Sequence, residues 1–333
     1  MYEEEKVSFR EASPLLQKCG LIPVDNADYR VGIFNDDEDL VATGALVGNM
    51  LQMIAVDPAY QGEDLSAKVV SHLVRYAARE GIFCLYLITK STAVQSFESM
   101  GFHLVAHVPG AVGLLEWGAP GIREYCDSLR QLRQPGAERV GCLVMNGFPF
   151  TKGHQYLITE ASRACSRVFV LVVEEDLSEF PFAVRYRLFQ EGTAHLPNVT
   201  VIPGGRYAIS SLTFPAYFSR DAARAGLQSR LDAEIFANHI APALGVTDRF
   251  MGEEPFSPST AIYNDEVNKR LTAAGIRVHI IPRHAEGATV VSASEVRRRL
   301  KNGTAEDVRE LVPETTYRFL AEHAEEVKQW VNR

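Results

Sequence analysis

From residue 139 onward, short apolar runs at 140–145, 168–173, 199–202, 249–251 and 277–281 alternate with helix-length segments. No other feature of the chain restricts its fold as much, because strand–helix repetition packs as a parallel sheet covered by helices on both faces. The run Val168-Phe169-Val170-Leu171-Val172-Val173 has no polar position at all, as expected of a strand buried on both sides. The expected fold of this half is therefore α/β, a doubly wound parallel sheet. Its tail, 313–330, reads as one amphipathic helix opened by a proline and rich in early acids.

Residues 29–117 follow another rule. Strands are expected at 31–34, within 40–56, at 84–89 and at 103–108, with helices at 64–80 and 92–100, an α+β layout. Gly118-Ala119-Pro120-Gly121, a polar helix carrying Tyr125 and Leu129, and Gln134-Pro135-Gly136 form a bridge. A chain of 333 residues exceeds one average domain, and the expected division is 1–120, a linker at 121–138, and 139–333.

Composition excludes some classes of function. A formal net charge of −8 disfavours nucleic acid and membrane surfaces as partners, since both require a concentrated basic face. The one basic cluster, Arg297-Arg298-Arg299-Leu300-Lys301, is short and reads as a helix with Arg297 inward. Five cysteines, odd in number and without a C-x-x-C pair, indicate neither a disulfide framework nor a zinc site, and Cys84 and Cys142 lie in apolar strands as packing residues. The acidic start, Met1-Tyr2-Glu3-Glu4-Glu5-Lys6, lacks an apolar leader, and no stretch is long enough to span a bilayer, so a cytoplasmic location is expected.

Chemistry concentrates at one junction. After the first strand of the second half comes Met145-Asn146-Gly147-Phe148-Pro149-Phe150-Thr151-Lys152-Gly153-His154, which turns the chain and opens a helix. The unpaired N–H groups and positive end of such a helix suit an anion, and Gly153 lets backbone approach a ligand. Thr151 suits either of two roles, phosphate donor or helix cap. Far downstream, Ser292-Ala293-Ser294-Glu295-Val296-Arg297 lies at a second loop-to-helix junction. Two anion-suited helix starts beyond the carboxyl ends of parallel strands can face one nucleotide.

This pair resembles the T/HxGH and ISxxxxR signatures of the cytidylyltransferase-like nucleotidyltransferases, whose fold is Rossmann-like. In the first half, Gln61 before the 64–80 helix and the stretch 93–102 resemble an N-acetyltransferase domain, whose family pattern is Q/R-x-x-G-x-G/A. Asp64 stands in place of the first glycine and Ser66 at the small residue, and a carboxylate there repels the pyrophosphate of acetyl-CoA. Acetyl transfer by this half is not expected.

Further segments are Glu179-Phe180-Pro181-Phe182 with Arg185 and Arg187, the stretch 210–218, Gly252-Glu253-Glu254-Pro255-Phe256-Ser257-Pro258, and Tyr263-Asn264. Singly they are weak; Phe-Pro-Phe suits packing, and an arginine pair on a helix suits a solvated face. In their order, together with the fused first half, they resemble the citrate lyase ligase family over nearly the whole chain. The resemblance implies an AMP-forming ligase in which acetate attacks the α-phosphate of MgATP, and the acetyl group then passes to the thiol of the acyl-carrier subunit of citrate lyase. It assigns catalysis to His154, Lys152 and Arg297. It assigns nucleotide contacts to Gly147, Phe148, Pro149, Phe150, Thr151, Gly153, His154, Glu253, Ser292, Ser294 and Arg297. No acidic motif identifies the Mg2+ ligands. Two other readings stay open: a stand-alone adenylyltransferase of the pantetheine-phosphate or mononucleotide type, and an acyl-CoA-sensing binding protein on a nucleotide-fold scaffold.

Overall fold

The computed structural model describes residues 2–136, 138–174, 180–208, 221–253, 258–282, 285–286 and 289–332. Glu179, the stretch 210–218 and residues 254–257, named above, lie outside the described residues. The chain forms two compact units, one of Met1–Tyr125 with Phe214–Glu234 and one of Cys126–Thr213 with Ile235–Arg333.

The first unit is built on seven strands: β1 (Glu3–Lys6), β2 (Tyr29–Phe34), β3 (Leu40–Val47), β4 (Met50–Val56), β5 (Cys84–Lys90), β6 (His103–Val108) and β7 (Val112–Gly118). Their order is β1-β2-β3-β4-β5-β7-β6, antiparallel except for β4 and β5. Helices α1 (Phe9–Lys18), α2 (Leu65–Arg79) and α3 (Val94–Ser99) pack on this sheet, and α4 (Ile122–Arg130) follows it. The α+β expectation holds. β1 was not expected: all four of its residues are exposed, so it has no apolar alternation to read. The parallel pair β4–β5 is joined only at Met50↔Tyr86 and Leu51↔Leu87. Beyond it Met53, buried, takes φ +52°, and the β3–β4 register shifts there, so β4 bends away from β5.

The second unit carries β8 (Val140–Met145), β9 (Arg167–Val172), β10 (Val199–Pro203), β11 (Asp248–Gly252) and β12 (Arg277–Ile281). All pairs are parallel and the order is β10-β9-β8-β11-β12. The doubly wound expectation therefore holds, and the strand order reverses between β8 and β11. The helices in chain order are α5 (Lys152–Ala164), α6 (Phe182–Thr193), α7 (Asp221–Ile235), α8 (Ala241–Leu244), α9 (Pro258–Ala273), α10 (Ala293–Asn302), α11 (Glu314–Glu322) and α12 (Ala324–Val331); of these α7, up to Glu234, belongs to the first unit. The tail expected as one helix is two, broken at His323, where φ −113° and ψ 33° leave the helical range. The break lets both Phe319 and Trp330 reach the core that includes Phe150, Phe180 and Val296.

β8 and β11 pair only at Asp248↔Gly141 and Arg249↔Cys142, so their carboxyl ends diverge. At the opposite end the strands are stitched by Asp248, fully buried, whose carboxylate accepts from Arg139 Nη2 (2.7 Å), Arg277 Nε (3.0 Å) and Nη2 (2.7 Å), Thr247 Oγ1 (2.7 Å) and His279 Nε2 (2.8 Å). Burial alone would raise its pKa, yet the bonds from Arg277, Arg139, Thr247 and His279 hold the carboxyl well below the usual carboxylate range. A sheet clamped at one end and parted at the other leaves a crevice at the switch point.

Candidate functional site

The loop after β8 opens into this crevice. Gly147 stands at φ +60°, and a Cβ there would lie 2.1 Å from Cε2 of Phe189, itself fully buried, so the turn admits only glycine. Phe150 is also fully buried, 4.6 Å centroid to centroid from Phe189, and packs against Gly192. It was expected to touch a nucleotide; the structure instead makes it the core wall behind His154, whose ring stacks on it at 5.8 Å and 19°. Phe148 is half-buried and Pro149 buried.

Thr151 is the N-cap of α5. Its Oγ1 accepts from His154 N (3.4 Å), while its own N–H donates to His154 Nδ1 (3.0 Å), a capping box in which histidine replaces the usual Glu or Gln. Of the two roles open to Thr151, the cap is the one it fills, with only 1% of its surface exposed. A backbone N–H can only donate, so Nδ1 is the acceptor nitrogen and the neutral ring carries its proton on Nε2. Four residues of local sequence thus fix both the orientation and the tautomer of the candidate catalytic histidine.

The second junction meets the first. Ser292 caps α10, accepting from Glu295 N at 3.1 Å, and a Cβ built on Gly153 would stand 3.1 Å from the carbonyl oxygen of Val291, the residue before that cap. Arg297 Nη1 donates to the Phe148 carbonyl (2.9 Å), its guanidinium lies 4.5 Å from the Phe148 ring centre, and Nη2 is 3.5 Å from Ser294 Oγ. The expected inward Arg297 is therefore inward, but onto the loop of the first motif. Its neighbours Arg298 and Arg299 are bound to Glu295, and those bonds, Arg298 first, hold the Glu295 carboxyl down to about 2.

Lys152 is placed differently from the rest. Its backbone N–H donates to Leu311 O (3.0 Å), and the residue lines an open groove with Glu306, Asp307, Arg309, Glu310 and Glu314. Residues two apart on a helix point in different directions, so Lys152 and His154 do not converge. Glu253 is exposed just beyond β11, its N–H held by Ile281 O (2.8 Å), and Asn264 Nδ2 holds the Gly252 carbonyl (3.0 Å).

Arg185, read from sequence as part of a solvated pair, is fully buried, whereas Arg187 is exposed and bound to Glu191 at 2.7 Å. A signal existed: Phe182, Leu188 and Phe189, at helical offsets −3, +3 and +4, put Arg185 on the apolar face of α6.

In the first unit the parting of β4 and β5 makes a cleft of about 470 Å3, lined among others by Lys18, Cys19, Gln61, Ser66, Lys90 and Ser96. Asp64, at the start of α2, takes φ +54° and makes no side-chain cap bond, so it does not serve as a helix cap. The loop keeps a glycine-like backbone but places a carboxylate on it.

Comparison with known proteins gives two kinds of likeness. Residues 140–320 match the family described as "Citrate lyase ligase C-terminal domain". The "[Citrate [pro-3S]-lyase] ligase" of Escherichia coli (strain K12) is 36% identical over 88% of this chain and 85% of its own length. That of Haemophilus influenzae is 33% identical over 96% of each. Among solved structures, a putative acyl-CoA N-acyltransferase from Klebsiella pneumoniae overlaps 35% of this chain and 97% of its own at 16% identity, with a TM-score of 0.30, a likeness that has no bearing on function.

Proposed function

The chain belongs to the citrate lyase ligase family, and on that premise we propose that it is an AMP-forming ligase that activates acetate with ATP and acetylates the thiol borne by the acyl-carrier subunit of citrate lyase. An acetate oxygen attacks the α-phosphorus, the bond to pyrophosphate breaks, and acetyl adenylate forms. The carrier thiolate then attacks the acetyl carbonyl and AMP leaves. Both steps need donors fixed where negative charge grows rather than a covalent nucleophile from the protein. The Nε2–H of His154 serves the α-phosphoryl oxygen, and Ser292, Ser294 and Arg297 serve the departing pyrophosphate. Mg2+ bound to the triphosphate would neutralise the charge that grows on the departing pyrophosphate; among the described residues no group of three or more His, Cys, Asp or Glu side chains is placed to hold a metal ion by itself. The observation that carries this reading is the meeting of the two helix starts, Gly153 against Val291 and Arg297 on the Phe148 carbonyl, beside the parted ends of β8 and β11. Among the described residues no helix is long and apolar enough to cross a membrane, and we place the enzyme in the cytoplasm with its carrier.

The decisive experiment is exchange of labelled pyrophosphate into ATP without carrier protein. Exchange that requires acetate supports the ligase. Exchange that requires a phosphopantetheine or mononucleotide acceptor transfers the assignment to a stand-alone adenylyltransferase.

The first unit, in this proposal, receives the carrier's thiol-ended arm in the β4–β5 cleft. Its volume and Lys90 suit a narrow anionic chain, Lys18 at the same cleft being paired with Asp57 at 2.6 Å, while Asp64 disfavours a free nucleoside pyrophosphate. Ser96 is exposed at this cleft, so Ser96→Trp should obstruct it without disturbing the core. Acetate-dependent exchange is expected to stay at the parental rate while acetyl transfer to the carrier falls several-fold. Equal transfer rates would remove the docking role.

A further inference from the structure

Arg185 is a fully buried cation whose guanidinium is spent on backbone carbonyls. Nε donates to Phe180 O at 3.0 Å, and Nη1 donates to both Asn146 O at 2.8 Å and Val173 O at 2.9 Å. Asn146 leaves β8 and Val173 leaves β9, so one side chain ties the carboxyl ends of two neighbouring strands to the start of α6. Burying a guanidinium is costly unless such partners satisfy it, and an apolar replacement would leave three carbonyls without these donors.

The consequence lies in the next peptide. C=O of Asn146 and N–H of Gly147 belong to one planar unit and point in opposite directions. Val173 N–H donates to Met145 O at 3.0 Å, which puts β9 on one side of the chain here, and the Arg185 bond to Val173 O holds the guanidinium on that side too. The Gly147 N–H then points away from the guanidinium, opposite to the Asn146 carbonyl, at the end of β8 where the β8–β11 ladder has stopped. Phe189, one helical turn beyond Arg185, packs on Gly147 and lies 5.8 Å from the His154 ring, so α6 sets loop and histidine together.

We propose that Arg185 is a positioning residue for adenylyl transfer: by holding the Asn146 carbonyl it aims the Gly147 N–H at the phosphoryl oxygens as a second donor beside His154. This rests on the nucleotide reading of the crevice given above.

The test uses the whole protein labelled with carbonyl-13C asparagine and 15N glycine. Only Gly147 and Gly303 follow an asparagine, so two amide signals result, and Asn302→Asp removes the second. On addition of α,β-methylene ATP, the Gly147 amide is expected to move downfield in the parental protein and not in Arg185→Lys. That variant should also lose about 10- to 100-fold in kcat for acetate-dependent exchange, less than the full value of an oxyanion donor because lysine keeps part of the carbonyl set. Its KM for ATP should change little. Calorimetry with the same analogue separates the failures. An analogue that binds without moving the Gly147 signal of the parental protein overturns the role of Arg185 alone. An analogue that does not bind overturns the nucleotide reading and this proposal with it. Should Arg185→Lys not fold, the parental signal still decides the matter.

Discussion

Replacing His154 with alanine is expected to remove most adenylate formation while leaving the protein folded. The ring is half-buried, and its structural contacts include the capping-box bond from Thr151 N–H at 3.0 Å, the Thr151 hydroxyl at 2.8 Å and packing on Phe150 and Phe189. Losing one such bond costs about 1 kcal/mol, too little to unfold a domain. Its chemical work is larger, because the tautomer set by that bond presents Nε2–H as a fixed donor, and removing one donor of this kind costs about 10²- to 10³-fold in rate. Acetate-dependent pyrophosphate exchange reads the loss, and circular dichroism confirms the fold. A folded variant that exchanges at nearly the parental rate would exclude His154 from the chemistry.

Arg297→Ala should weaken nucleotide binding and turnover together, lowering kcat/KM by about 10²-fold, as expected when charge-assisted bonds of about 1.5–3 kcal/mol each are lost. Two effects combine: the guanidinium no longer serves pyrophosphate, and the Phe148 carbonyl and ring lose their partner at 2.9 and 4.5 Å. Lysine at this position supplies charge without the planar fork, so Arg297→Lys should recover only part. Calorimetry with ATP analogues, beside the exchange assay, tells the effects apart. Intact affinity with a reduced rate would reduce Arg297 to a support for the Phe148 loop, and parental values for both would make it dispensable.

Much of the second unit was legible because strands buried on both faces carry unbroken apolar runs, as at 168–173, and their alternation with helices admits few topologies. The first motif was legible for a related reason. A cap, a turn glycine and a helix start are local devices, and Thr151 and His154 satisfy one another within a single turn. β1 escaped notice because its four exposed residues carry no period, and the break at His323 because both halves of the tail share one amphipathic pattern.

The sequence by itself determined the strand–helix alternation and the two loop-to-helix junctions, since each depends on neighbours within a few residues. Only the tertiary structure decided which side chains those junctions spend on each other. Phe150 became a core wall, Lys152 turned to an acidic groove, Arg297 seated itself on Phe148, and Arg185 joined the ends of β8 and β9. Each of these depends on partners far away in the chain, as with Arg297 and Phe148, 149 residues apart. Burial and hydrogen-bond satisfaction are properties of the packed volume, and local pattern does not contain them.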